Sequence, residues 1–162
     1  MQIEHREWMV ETAEKYCTAA ELLAKQTNLC RQAQINAALS IEILLKSYLA
    51  RIAEYEGEVY ETYTSKRGHN LAKLADMLPV EVRSYLDLNE SQNGFPASST
   101  RQCVERYANT FIEDRYIYES SRNRFRPGFS ISLVHTARTL VDKTIDLYLA
   151  TGSDDPWINN FV

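Results

Sequence analysis

Apolar residues recur at helical spacing along most of the 162-residue chain. Because each residue turns a helix by about 100°, apolar positions three and four apart share one face. The pattern predicts four long helices, with two short helices between the second and the third. Their ranges are Glu4–Gln26, Leu29–Glu56, Leu71–Met77, Val80–Leu88, Thr100–Ser121 and Ser130–Ala150. Short connections favour antiparallel neighbours, so we expect an all-α, antiparallel up-and-down four-helix bundle.

Turn-forming residues mark the ends of these helices. Gly57 is placed to cap the end of the second helix, and Asn70 is placed to cap the start of the third. The polar, tyrosine-rich stretch from 58 to 68 and the stretch from 89 to 99 are predicted to be loops. The sequence therefore predicts one helical domain over residues 1–150 and a polar C-terminal tail over residues 151–162.

Composition narrows the class of protein. Hydrophobic residues make up 44% of the chain and charged residues 25%, as in a soluble globular domain. The net charge of −4 argues against broad nonspecific nucleic-acid binding but leaves room for a local basic patch. Cys17, Cys30 and Cys103 lack metal-ligand spacing and suit reduced thiols. With no signal peptide or membrane span in the pattern, we expect a cytoplasmic protein without membrane association, bound metal or other cofactor.

Charged residues interrupt the apolar faces of two predicted helices. Glu42 and Lys46 lie one turn apart in the middle of the second long helix, and Arg115 and Glu119 lie similarly in the third. In antiparallel helices, Glu42 would pair with Arg115 and Lys46 with Glu119. Charges are costly to bury unless they are paired. The four residues therefore form either a polar core network that fixes helix register or a charged cleft for phosphate or RNA.

Further basic residues and histidines are candidates for nucleic-acid chemistry. His69 lies at the start of a short helix, where it either acts as an acid or base on RNA or packs the turn. His135 lies just off the apolar stripe of the last helix and is a second histidine of this kind. Candidate phosphate-binding cations are Lys66, Arg67, Arg122, Arg124 and Arg126. The three arginines flank Phe125 and Asn123, so they form either an RNA-stacking patch or a solvated basic loop.

The last helix carries a second apolar stripe. Leu133, Leu140 and Leu147 recur at seven-residue spacing beside its main apolar face. A helix that is apolar on two sides is either central to the fold or has a partner. The second stripe is one candidate for a dimer interface.

Three segments of the chain resemble the HEPN family, a superfamily of small helical-bundle domains. The segments are Ala37–Leu49, Gly68–Leu74 and Arg115–Glu119. They are similar to the family's second helix, to its Gly/Thr-His-Asp/Asn-Leu turn and to its Arg-Tyr-x-Tyr-Glu segment. Their order fits from about Trp8 to Leu149. The resemblance implies a helical bundle that works as a homodimer.

The resemblance implies two different kinds of activity, because the family contains both ribonucleases and binding proteins. Many HEPN members are metal-independent ribonucleases, often toxins or defence effectors, whose signature is an Arg followed after four to six residues by a His. This chain lacks that spacing, and its nearest approach, Arg126 to His135, is too long. Other members bind RNA, nucleotides or a partner nucleotidyltransferase.

The predicted function is therefore a nucleic-acid- or nucleotide-associated binding or accessory module, in a defence or toxin–antitoxin setting. One alternative is an atypical ribonuclease that uses Arg115 with His69 or His135. The other is a purely structural helical adaptor.

Overall fold

The computed structural model describes residues 3–63, 68–91, 96–116 and 129–161, which are predominantly helical. The long helices are α1 (Glu7–Ala24), α2 (Cys30–Ser47) and α7 (Ile131–Ala150). The shorter elements are a 3-10 turn (Thr27–Leu29), α3 (Leu71–Asp76), α4 (Val80–Tyr85), α5 (Ser99–Arg106), α6 (Thr110–Arg115), α8 (Pro156–Asn159) and the strands β1 (Ala50–Tyr55) and β2 (Glu58–Tyr63). Within the described residues, no helix is long and apolar enough to cross a membrane.

The three long helices pack against one another and form the centre of the core. α7 runs antiparallel to α1, because Tyr148 late in α7 accepts a hydrogen bond from the Arg6 amide just before α1, at 3.1 Å. Earlier in α7, Arg138 donates to Glu21 late in α1, at 2.9 Å. α1 and α2 are joined by the short 3-10 turn and are also antiparallel.

Small residues line the contact between α1 and α2. The Ser40 hydroxyl donates to the Ala13 carbonyl across this contact, at 2.7 Å. Small side chains allow two helix backbones to approach closely. The fully buried alanines of α1 and α2 are Ala13, Ala20, Ala33, Ala37 and Ala38.

The second leucine stripe of the last helix faces the protein interior. Leu133 and Leu140 are 0% exposed and Leu147 is 3% exposed. The prediction that this stripe forms a dimer face is therefore wrong. α7 contacts α1, α2, α5 and α8, so both of its apolar sides are covered within one chain.

The end of the predicted second helix is a β-hairpin, which corrects both the helix boundary and the loop predicted after it. α2 ends at Ser47, and β1 pairs antiparallel with β2, so backbone groups bond across strands instead of along a helix. Glu56 and Gly57 form the turn, with φ values of 53° and 81°. Positive φ at both central residues is the geometry of a type I′ hairpin turn.

The predicted third long helix is divided into α5 and α6 by residues 107–109. The reason lies in a contact distant in sequence. The Ala108 carbonyl accepts a hydrogen bond from the Leu71 amide at the start of α3, at 3.0 Å. The predicted C-terminal tail also differs from expectation, since it contains α8, whose Ile158 is 0% exposed and joins the core.

Candidate functional site

Glu42 is a buried carboxylate held by side chains from two parts of the fold. It lies in α2 and is 3% exposed. Lys46, one helical turn later, donates to Glu42 Oε1 at 2.7 Å. His69 Nδ1 lies 2.9 Å from both Glu42 carboxylate oxygens. A buried charge needs such partners, and here they also fix the position of the imidazole.

The turn that carries His69 is anchored to neighbouring elements. Asn70 accepts a hydrogen bond from the Lys73 amide at 2.9 Å and so caps α3, as the sequence predicted. The Asn70 side-chain amide donates to Asn109, also at 2.9 Å. The turn is therefore fixed to the segment between α5 and α6. These bonds place His69 between α2 and α6.

The imidazole of His69 presents one edge to solvent. Its side chain is 41% exposed, and its ring packs against Phe111 of α6 with centroids 5.1 Å apart. Since Nδ1 faces Glu42, Nε2 is the nitrogen left for a ligand, and it has no hydrogen-bond partner among the described residues. A carboxylate on one imidazole nitrogen fixes the tautomer and supports acid–base or phosphate-binding chemistry at the other.

Arg115 is exposed at the end of α6 and does not pair with Glu42, so the predicted pairing is wrong. Its guanidinium carbon lies 5.3 Å from the ring centroids of Phe111 and Tyr116. His69 takes the place beside Glu42 that the sequence assigned to Arg115. The predicted partner of Lys46, Glu119, lies outside the described residues.

Phe111 therefore joins His69 and Arg115, the two candidate ligand-binding side chains of this site. The imidazole of His69 and the guanidinium of Arg115 both contact its ring. The negative charge of Glu42 is balanced by Lys46, while Arg115 adds an exposed positive charge. We name Glu42, Lys46, His69, Phe111 and Arg115 the His69 site. Its exposed groups are the guanidinium of Arg115 and one edge of the His69 imidazole, which suit an anionic ligand, while Phe111 beneath them is 8% exposed.

The remaining predicted site residues do not meet in the described parts of the chain. His135 is exposed on α7, on the side near Glu21 of α1, and makes no described contact with the His69 site. The structure thus does not bring His135 together with Arg115. The other candidate cations, Lys66, Arg67, Arg122, Arg124 and Arg126, lie outside the described residues.

A second polar feature, which sequence analysis missed, is a cavity of about 220 Å³ at the start of α2. Arg31 donates to Asp114 of α6 at 2.9 Å, and the Gln34 amide donates to the other Asp114 oxygen at 2.8 Å. Phe129 borders the opening. Asp114 lies one helical turn after Phe111, and this spacing is the sequence feature that could have indicated a polar group near the cavity.

Other ion pairs of the described residues tie elements together. Arg101 is 2% exposed and binds Asp76 at 2.6 Å and Glu105 at 2.7 Å. Arg138 of α7 donates a hydrogen bond to Glu21 of α1 and thereby joins the two helices. This bond also lowers the pKa of the Glu21 carboxyl. Arg101 and Arg138 therefore join elements of the fold, and we do not consider them candidates for ligand binding.

The described cysteines and acidic residues do not indicate metal or thiol chemistry. Burial raises the pKa of the Cys17 thiol to about 12, so it stays protonated and is a poor nucleophile. Within the described ranges, no group of three or more His, Cys, Asp or Glu side chains is arranged to hold a metal ion.

Comparison of the chain with models of protein families, with curated proteins and with solved structures finds no match.

Proposed function

We propose that this chain is a HEPN-like helical protein that binds RNA or a nucleotide through phosphate contacts at the His69 site. The observation that carries the proposal is the buried Glu42 carboxylate that holds His69 beside Phe111 and Arg115. Homodimer formation, a nucleotidyltransferase partner and a defence or toxin–antitoxin setting belong to the same proposal and rest on the family resemblance.

The proposed bundle includes the α5–α6 segment as its third helical position. Along α6, Phe111 lies near His69 and Glu42, whereas Asp114 binds Gln34, which is nearer the start of α2. α6 therefore runs antiparallel to α2. This direction supports an up-and-down arrangement of α1, α2, the α5–α6 segment and α7.

The chemistry of the His69 site supports phosphate as the ligand group. A guanidinium donates two parallel hydrogen bonds to phosphate oxygens, and Arg115 has its head group exposed. His69, which contacts the same Phe111 ring as Arg115, offers Nε2 and is held in place by Glu42. The planar guanidinium is also a surface on which an unpaired base stacks.

The test is the affinity of labelled single-stranded RNA measured by fluorescence anisotropy. Arg115→Ala is expected to weaken binding about tenfold, because one charge-assisted phosphate contact contributes on the order of 1–3 kcal/mol. The matched control is Arg106→Ala. Arg106 is also exposed and also lies over an aromatic ring, Tyr107, at 5.6 Å. No binding by the wild type, or equal losses in both variants, would contradict the proposal.

A second candidate function, a metal-independent ribonuclease, is favoured by the hydrogen bond between His69 Nδ1 and Glu42. In this mechanism His69 Nε2 accepts the proton of a ribose 2′-hydroxyl, whose oxygen then attacks the adjacent phosphorus. The bond to the 5′ oxygen breaks, and the imidazolium returns its proton to that oxygen. Glu42 stabilises the imidazolium formed between these steps.

The ribonuclease is tested by incubating RNA with the protein in EDTA. His69→Asn and Glu42→Gln are expected to abolish or strongly reduce cleavage while the fold is retained. His135→Ala is the control, since His135 lies away from the site, and it should cleave as the wild type does. RNA binding without cleavage by the wild type would reject the ribonuclease and leave the binding module standing.

A further inference from the structure

The cavity at the start of α2 is lined by groups that suit a second part of a nucleic-acid ligand. It lies between the first turn of α2, the end of α6 and Phe129, which shortly precedes α7. Asn28 and Cys30 also line it. Its inner side holds the Asp114 carboxylate, whose side chain is 8% exposed.

The hydrogen bond to Asp114 orients the Arg31 guanidinium and leaves its other N–H donors available. The two residues share one described hydrogen bond, from Arg31 Nη1 to Asp114 Oδ1, and the second Asp114 oxygen accepts from Gln34. The Arg31 side chain is 39% exposed. A guanidinium anchored through one nitrogen keeps its other donors for a ligand, and phosphate accepts two of them at once.

Two further features at the cavity fit a nucleotide. Phe129 is 39% exposed at the opening, where an unpaired base can stack on its ring. The cavity also borders the start of α2, an 18-residue helix whose N-terminus has no side-chain cap. The positive end of the helix dipole adds to the field of Arg31 and favours an anion there.

The cavity and the His69 site lie along the same pair of helices. Arg31 and Glu42 are separated by 11 residues of α2, which is about 16 Å at the rise of an α-helix. On α6, Phe111 belongs to the His69 site and Asp114 to the cavity. A stacked single strand rises about 3.4 Å along its axis per nucleotide, so some five stacked nucleotides span this distance.

We propose that the cavity is a second contact point for the same ligand, and that this ligand is single-stranded RNA of about five nucleotides instead of a mononucleotide. The inference rests on the proposed function of the His69 site. Arg31 contacts a phosphate at the cavity, and Phe129 stacks on a base there.

The first test places a negative charge at the cavity with little change of shape. Asn28 is exposed and borders the cavity, so Asn28→Asp should repel a bound phosphate. We expect about tenfold weaker binding of a hexanucleotide and unchanged binding of a mononucleotide. The matched control is Asn160→Asp, an exposed residue just after α8. Equal affinities of the two variants for the hexanucleotide would overturn the inference.

The second test uses a thiol that already lines the cavity. Cys30 is partly exposed, whereas Cys17 and Cys103 are buried, so a soluble disulfide reagent should modify Cys30 first. A saturating hexanucleotide is expected to slow this modification at least fivefold, while a saturating mononucleotide leaves it unchanged. Cys30→Ser identifies the signal, since it should remove the fast phase.

The outcomes separate the two proposals. Hexanucleotide binding that depends on Arg115 but leaves Cys30 equally reactive would overturn the cavity assignment alone. Protection of Cys30 by the mononucleotide would overturn the assigned ligand length. If no RNA binds at all, the proposed function fails and this inference fails with it.

Discussion

Replacing Glu42 with alanine tests how strongly its buried carboxylate stabilises the fold. Glu42 pairs with Lys46 at 2.7 Å, and the two side chains are 5% and 16% exposed. The helix α1 contains a pair of the same chemistry, spacing and distance, Glu11 with Lys15 at 2.7 Å, whose side chains are 34% and 68% exposed. Comparing Glu42→Ala with Glu11→Ala therefore measures what burial and the second partner, His69, add to the same Glu–Lys pair.

The expected magnitude follows from the partners that each substitution leaves behind. Removing one partner of a fully buried ion pair costs about 3–5 kcal/mol, because the other partner loses its opposite charge in the interior. Lys46 and His69 are partly exposed, at 16% and 41% of their side chains, and regain some water. We therefore expect Glu42→Ala to lower the free energy of unfolding by about 2–3 kcal/mol. An exposed pair such as that of Glu11 contributes about 0.5 kcal/mol or less.

Urea unfolding followed by circular dichroism provides the measurement. The midpoint of Glu42→Ala should fall clearly while the slope of the free energy against urea stays at the wild-type value. The midpoint of Glu11→Ala should stay close to that of the wild type. Equal midpoints for the two variants would refute the reasoning, because the buried pair would then be worth no more than an exposed one.

Three further predictions concern stability. Arg115→Ala should change the free energy of unfolding by no more than about 0.5 kcal/mol in the same urea assay, because its head group is exposed; a loss above 2 kcal/mol would indicate a buried role. Leu140→Ala should cost about 2–5 kcal/mol at any protein concentration, because this 0% exposed side chain packs within one chain; a cost that depends on concentration would restore the dimer face. Glu21 has a pKa lowered by its hydrogen bond with Arg138 from the ordinary 4.5, so its stabilisation is present above that pH and is lost as the pH falls through the lowered pKa. Thermal unfolding of Glu21→Gln should therefore show a deficit at neutral pH that shrinks as the pH falls below 4.5 and through the lowered pKa of Glu21, and a deficit that does not change with pH would argue against the ion pair.

The parts of the fold that the sequence predicted well are those governed by local chemistry. The N-cap at Asn70 and the helix from Ile131 to Ala150 follow from side-chain preference and apolar spacing. The hairpin was missed because Gly57 supplies a positive φ equally well at a helix end and in a hairpin turn. The break after α5 was missed because it involves the bond between Ala108 and Leu71, which are distant in sequence.

The sequence predicted which residues belong to the candidate site better than it predicted which of them contact one another. The position of Glu42 in an apolar stripe indicated a buried charge in need of partners, and Lys46 is one of them. The second partner, His69, was a separate candidate, because no periodic pattern relates a turn residue to a helix 27 positions earlier. Arg115 was expected inside, but α6 ends at that residue and leaves its side chain exposed.

The salt dependence of RNA affinity tests the central claim, phosphate binding at the His69 site, most directly. Each phosphate contact to a single strand adds about 0.7 to the slope of log affinity against log salt concentration, because binding releases a counterion. Arg115→Ala should therefore reduce the slope by about 0.7 relative to the wild type, while Arg106→Ala leaves it unchanged. A slope for Arg115→Ala equal to that of the wild type would show that Arg115 contacts no phosphate and would contradict the account.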